Sequence, residues 1–308
     1  MARMALREKT RALEPMLREL QRRWPDDLQL WLDWKKDGVL YHALPYVLRG
    51  AFPGAAEADL DRLTVATRMF LESILLADKI VDGHDEYDPG QLYLRAAAMQ
   101  FEAYRLFHQV VPADAPFWEH FRAAFVSWAG GCALDRRFHA AEGKRPELTV
   151  DTAVEIARGK FPFPRVTAYA LAALSGDDRH LEALVRSIDH FELSLCYWDD
   201  LRDWRKDAPA GAPSLVLAHL FAQFPELRGG QGEAWIEALA QALFKRGGAA
   251  AVIRITLDHL DQADALVADI PVFEWREMIA LNRTATANAL RDAAGAARRR
   301  REAEAQPV

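Results

Sequence analysis

The 308-residue sequence is poor in cysteine, with only Cys132 and Cys196. Two such residues cannot build a disulfide framework and show no metal-ligand spacing, so a reduced, cytoplasmic setting is expected. No apolar run reaches the roughly 18 residues that a membrane span needs. The stretch from Met1 to Arg23 alternates charges with leucines and lacks a signal-peptide core. An excess of positive charge is also missing: 39 basic residues face 45 acidic ones, for a net −6. That balance argues against a nucleic-acid partner held by phosphate attraction. There is no His/Cys set for zinc, no G-x-x-x-x-G-K-[ST] loop and no G-x-G-x-x-G turn. Ser/His/Asp and Cys/His arrangements for nucleophilic catalysis are absent too. Short alternating β-branched runs, the signature of strands, hardly occur. No Ser/Gly-rich linker divides the chain and no repeat of solenoid length recurs.

What is present has helical period almost throughout, with 51% hydrophobic residues. Breakers punctuate it at Pro53-Gly54, Pro89-Gly90, Pro112 to Pro116, Pro146, Gly176, Pro209 to Pro213, Gly229-Gly230 and Pro271. About ten helices fit between them, the longest near 57–83, 115–141, 151–174, 178–206 and 273–300. The expected fold class is all-α, a single helical bundle spanning residues 1–308 with frayed ends. The basic run Ala297 to Arg301 reads as a solvated helix end, with cations at the favourable terminus.

Two stretches carry the chemistry. Walking one face of the first helix gives Leu71, Leu75, Asp78, Asp82 and Asp85, an apolar stripe that becomes carboxylates. The same walk further on gives Ile188, Phe191, Leu195, Asp199, Asp203 and Asp207, with Asp200 alongside. Like charges at i, i+4 spacing repel, and burying them uncompensated costs several kcal/mol. A carboxylate-rich helix end taken alone is also what solvation produces, and Arg202 and Lys206 lie close by as exposed partners. Two such ends, each continuing an apolar stripe, point instead to hard oxygen ligands for Mg²⁺.

Tyr197-Trp-Asp-Asp-Leu-Arg-Asp203 resembles the second aspartate-rich motif of trans-prenyl diphosphate synthases. Asp78-Lys-Ile-Val-Asp82 resembles their first motif with Lys79 replacing an aspartate. Read as DxxxD, it is similar to the squalene and phytoene synthase branch. Between them, Leu148 to Lys160 is similar to the family helix whose lysine contacts diphosphate. The resemblance is thus to class I isoprenoid synthases. It implies an all-α bundle around a deep apolar cavity, with three Mg²⁺ ions and an isoprenyl diphosphate at its mouth. It carries over Asp78, Asp82, Asp85, Asp199, Asp200 and Asp203 as metal ligands, and Lys160 as a diphosphate contact. Arg158 and Arg202 are further candidates for diphosphate, and Asn282-Arg283 invites comparison with residues that close over it. A homodimer is common in the family.

The departures shape the functional expectation. Elongating members carry Gly-Lys-x-x-Arg-Pro near the N-terminus and paired arginines after the first motif. Here Lys35 to Pro45 lacks that arginine, and Glu86-Tyr-Asp-Pro-Gly90 stands where the pair would be. A terpene synthase that ionises one allylic diphosphate and steers the carbocation is therefore the preferred reading. The alternatives are a prenyltransferase of the same fold, elongating or head-to-head, and a catalytically degenerate partner subunit. Nine tryptophans suit a pocket whose aromatic faces stabilise a cation. Trp128 is the best placed of them, with Trp118, Trp198 and Trp204 as further candidates.

Overall fold

The computed structural model describes residues 13–24, 43–81, 88–139 and 147–304, with side chains as far as Asp292. Asp82 and Asp85 lie outside the described residues. The helices are α1 (Glu14–Gln21), α2 (Leu44–Leu48), α3 (Glu57–Val81), α4 (Pro89–Val110) and α5 (Phe117–His139). They continue with α6 (Val150–Lys160), α7 (Phe163–Ser175), α8 (Leu181–Ala210) and α9 (Leu215–Gln223). The last three are α10 (Gly232–Phe244), α11 (Gly248–Leu266) and α12 (Phe273–Glu304). Among the described residues there is no strand, and no helix is long and apolar enough to cross a membrane.

Local chemistry sets the helix ends. Asp88 caps α4, accepting from the Gly90 N–H at 2.9 Å, with Pro89 in the first turn where its missing N–H costs nothing. Thr149 caps α6 in the same way through the Thr152 N–H at 3.1 Å. The single long helix expected near 151–174 is instead divided at Phe161–Pro162 into α6 and α7, because Pro162 and Pro164 cannot donate the hydrogen bonds that would carry a helix across. At the end of α8 the helix runs through Pro209 to Ala210, rather than stopping at the proline. Proline's φ suits a helix, and in a last turn only one backbone hydrogen bond is lost. Gly211, at φ 72°, then ends the helix in a conformation that favours glycine.

The chain forms two compact units. The first comprises residues 1–125, 163–185 and 269–275. In it α3 and α4 are joined by a short connection and lie antiparallel, because Phe70 in mid α3 meets Tyr104 and Phe107 in the later half of α4. Phe70 also packs against Phe121 of α5 and Phe163 of α7, with centroids 4.8 and 4.9 Å away. The buried face of α3 runs through Leu63, Ala66, Phe70 and Ile74. The expected core-facing stripe, Leu71 to Leu75, is rotated away from it, and Leu75 is 42% exposed. The helix is apolar over most of its circumference, so spacing alone selected the wrong stripe.

The second unit comprises residues 126–162, 186–268 and 276–308. Its core gathers Tyr197, Trp204 and Ala208 of α8 with Leu217, Leu220, Leu239, Leu243 and Val252 of α9, α10 and α11. The later half of α5 and the end of α6 meet backbone to backbone. A Cβ on Gly131 would lie 2.7 Å from the Gly159 carbonyl carbon. Only two glycines permit that approach. Gly131→Val should therefore destabilise the protein by about 1–3 kcal/mol, seen as a lowered Tm in thermal denaturation followed by circular dichroism.

Candidate active site

Helix α8 carries the second aspartate cluster out of the core. Ile188 and Phe191 are fully buried, Leu195 is half-buried, and Asp199 and Asp203 stand exposed one turn apart on the same face. Arg202 approaches Asp199 only to 4.0 Å, with both side chains about three-quarters exposed, so that pair contributes little. Asp200 turns the other way. Its Oδ2 accepts the Leu215 N–H at 2.5 Å, at the first turn of α9, which Ser214 caps. The Asp200 carboxyl is pushed up to about 7, first by burial. Hydrogen bonds from Leu215 and Ser214 pull it down, while the carboxylates of Asp207 and Asp199 push it further up.

Lys160 is placed by the glycine crossing. It follows Gly159 directly, while Asp135 lies one turn beyond Gly131, and the Lys160 Nζ reaches Asp135 Oδ2 at 2.8 Å. Both side chains are largely buried, so this is an ion pair held out of water. Cys196 links the lysine to the aspartates electrostatically. Its thiol is pushed well above its ordinary value, first by burial and then by Glu192, Asp200 and Asp199, with Lys160 pulling the other way. The Lys160 ammonium and the second cluster therefore act on the same spot.

Asp135 and Glu192 are residues that the sequence reading passed over. Glu192 is buried and sits seven residues before Asp199 on the same face of α8, a spacing that could have revealed it. Nothing in the spacing betrays Asp135, 25 residues from the lysine it holds. Of the other candidates, Arg158 is exposed on α6, Trp128 is half-buried on α5 and Asp78 is half-buried on α3 in the first unit. Arg283 is taken up by an exposed ion pair with Asp261, and the Asn282 side chain donates to the Met278 carbonyl at 3.0 Å.

Three of the tryptophans have structural roles. Trp204 is buried in the core, packed edge-on against Phe244. The Trp198 Nε1–H donates to Thr286 Oγ1 at 2.8 Å. Trp118 stacks on His108 at 4.0 Å and donates to the Pro112 carbonyl.

The donor chemistry suits a hard divalent cation. Asp199 and Asp203 offer oxygen alone, open to approach, and Asp200 is strained by neighbouring carboxylates that a cation would offset. Among the described residues no three His, Cys, Asp or Glu side chains converge as a complete metal cage. Mg²⁺ rarely asks for one, since it keeps waters and binds substrate phosphate.

A polar seam secures α8 behind this face. His190 Nδ1 lies 2.9 Å from His259 Nδ1 of α11, and the Tyr197 hydroxyl lies 2.8 Å from His219 Nε2 of α9. The Tyr197 ring also stacks on His259, with centroids 5.8 Å apart. A hydrogen bond between two imidazoles needs one N–H donor and one bare nitrogen, so at least one ring must be neutral. Burial depresses both histidines, and His259 falls to about 4.

No protein-family model matches this sequence, and no curated protein matches it. Solved structures do. A polyprenyl synthase from Caulobacter crescentus, in complex with calcium and isoprenyl diphosphate, is 20% identical with a TM-score of 0.69. That match covers 91% of this chain and 96% of the other. A geranylgeranyl pyrophosphate synthetase from the archaeon Geoglobus acetivorans is 16% identical with a TM-score of 0.73, over 90% and 99% of the two chains. A heptaprenyl diphosphate synthase from Staphylococcus aureus is 12% identical with a TM-score of 0.74, over 92% and 98%. The chain has the all-α class I isoprenoid synthase fold that its motifs resembled.

The depressed His259 makes stability pH-dependent. The unfolded imidazole takes up a proton near 6.5 and the folded one only near 4, so the unfolded state binds more protons between those values. Stability from this group is lost as pH falls across that window, whereas the raised Asp200 favours the folded state as pH falls from about 7. His259→Asn can still hydrogen-bond His190 but cannot charge. Its Tm relative to the parent should rise steadily from pH 6.5 to pH 4 in metal-free protein, measured by calorimetry.

Proposed function

We propose that this chain ionises an allylic isoprenyl diphosphate with divalent cations and joins the resulting cation to a prenyl acceptor. The observation that carries the reading is the exposed Asp199–Asp203 pair, electrostatically linked to buried Lys160, within a fold shared with prenyl diphosphate synthases over nine-tenths of the chain. That breadth of likeness supports prenyl transfer over the cyclase reading preferred from sequence. Cyclisation of a single substrate remains the second reading. Glu86-Tyr-Asp-Pro-Gly90 favours it, lacking the paired arginines of elongating enzymes.

In this reading Asp78, Asp82 and Asp85 of the first motif and Asp199, Asp200 and Asp203 of the second hold the metal, three Mg²⁺ ions by the family pattern. A divalent cation held by these carboxylates would supply the charge that offsets the leaving diphosphate as the C–O bond ionises. Lys160 adds a donor to the diphosphate, and its pairing with Asp135 keeps the ammonium pre-oriented rather than free to wander. Arg158 and Arg202, both exposed, are free to swing onto phosphate oxygens. Trp128 is the aromatic face assigned to the carbocation in a dry apolar cavity. Residues 1–308 work as one catalytic domain in a cytoplasmic setting. A second copy docks on the outer stripe of α4, where Tyr93, Leu94 and Phe101 are 65%, 52% and 60% exposed.

Incubation with Mg²⁺ and geranyl, farnesyl or geranylgeranyl diphosphate, with and without isopentenyl diphosphate, tests the reading by mass spectrometry of the products. A longer diphosphate formed only with isopentenyl diphosphate is expected; a hydrocarbon formed without it would establish the cyclase. No pyrophosphate release under any condition would sink both. Asp199→Asn/Asp203→Asn should lower kcat/KM by more than roughly 100-fold. Phe101→Glu should elute as a monomer in size-exclusion chromatography with light scattering where the parent elutes as a dimer.

A further inference from the structure

Helices α9 and α11 meet tightly at one point and part beyond it. At Gly248, in the first turn of α11, an added Cβ would lie 2.6 Å from Leu220 Cδ2, so no side chain separates the two helices there. Further along, α11 presents Ala251, Val252 and Ile255, spaced to share a face with Gly248. The gap they leave against α9 is a cavity of about 270 Å³. Its wall is apolar, since Leu220 and Val252 are buried against it and Ala251 is too short to fill it. No charged side chain is among its described lining residues.

One imidazole, that of His219, also lines this space. Its Nε2 is taken by the Tyr197 hydroxyl at 2.8 Å, and among the described residues no hydrogen bond reaches its Nδ1. Burial lowers the proton affinity of the ring, so at neutral pH it carries no charge to draw an anion. If the Tyr197 hydroxyl donates to Nε2, then Nδ1 is an N–H donor; if it accepts, Nδ1 is bare. A hydroxyl answers either tautomer, whereas a carbonyl or an ammonium answers only one. An apolar cavity of about 150 Å³ holds benzene, so this one has room for roughly ten carbon atoms. An apolar body there displaces water that has few polar partners, while its hydroxyl satisfies the one nitrogen that lacks one.

We propose that the cavity between α9 and α11 binds an uncharged alcohol with an apolar body of roughly eight to ten carbons. None of the residues assigned to diphosphate takes part in it. 1-Octanol and octanoate have bodies of the same length and differ in charge. Each is titrated into the full chain by calorimetry, for the parent, Ala251→Phe and His219→Gln. 1-Octanol should bind the parent with a Kd on the order of 0.1 mM. Octanoate should bind at least roughly 10-fold more weakly, since its charge finds no partner. Ala251→Phe fills the gap and should abolish octanol binding. His219→Gln keeps an amide where Nε2 meets Tyr197 but offers nothing at Nδ1, so its octanol Kd should rise roughly 3- to 10-fold. Octanoate that binds as tightly as octanol, or an octanol Kd unchanged in Ala251→Phe, overturns the proposal, as does parent protein that takes up no octanol. Should Ala251→Phe fail to fold, His219→Gln decides: a weaker octanol Kd supports the site, and an unchanged Kd removes it.

Discussion

One constraint governs the second unit: α8 must be apolar enough to sit in the core at one end and must present stacked carboxylates at the other. Ile188 and Phe191 meet the first demand and Asp199 and Asp203 the second, on a single face of one helix. Repulsion between carboxylates a turn apart is tolerable only in water or against a cation. Asp199 and Asp203 take the water, while Asp200 turns into the protein and is met by the Leu215 backbone N–H at the start of α9. The helix N-terminus offers partial positive charge, yet burial and two neighbouring carboxylates outweigh it, so the carboxyl is still raised.

Lys160 reaches its place through the smallest side chains available. Gly131 and Gly159 let two helix backbones touch, and that contact brings Asp135 and Lys160 within 2.8 Å. A buried ion pair adds little net stability after desolvation. Its use is orientation, because a lysine stem has several rotatable bonds whose freedom would otherwise be lost at the moment of binding.

The seam behind α8 balances these acidic demands. Tyr197, His190, His219 and His259 join α8 to α9 and α11 through hydrogen bonds, and burial lowers the proton affinity of all three imidazoles. Asp200 and His259 shift in opposite directions, so over the mildly acidic range their effects on stability oppose each other. A bound divalent cation would tilt that balance by drawing Asp200 back to its ionised form.

Much of the molecule was legible from local pattern. Period and breakers are properties of neighbouring residues, so most of the long helices could be read directly, though the stretch near 151–174 is two helices rather than one. The alternation along α8 likewise exposed Asp199 and Asp203, because a helix face is fixed by spacing alone. Spacing failed where apolar residues surround the helix, as on α3, whose buried stripe proved to be Leu63 to Ile74 and not Leu71 and Leu75. It failed again for pairs distant in sequence: Asp135 with Lys160, His190 with His259 and Tyr197 with His219. The same distance hid the structural work of Trp198 and Trp204, which looked from composition like cavity lining. Sequence by itself determined the helices, their caps and the acidic face of α8, since each depends on interactions within a few residues. Tertiary structure alone decided which cation meets which carboxylate and which aspartate is desolvated, because burial and charge pairing belong to the packed chain.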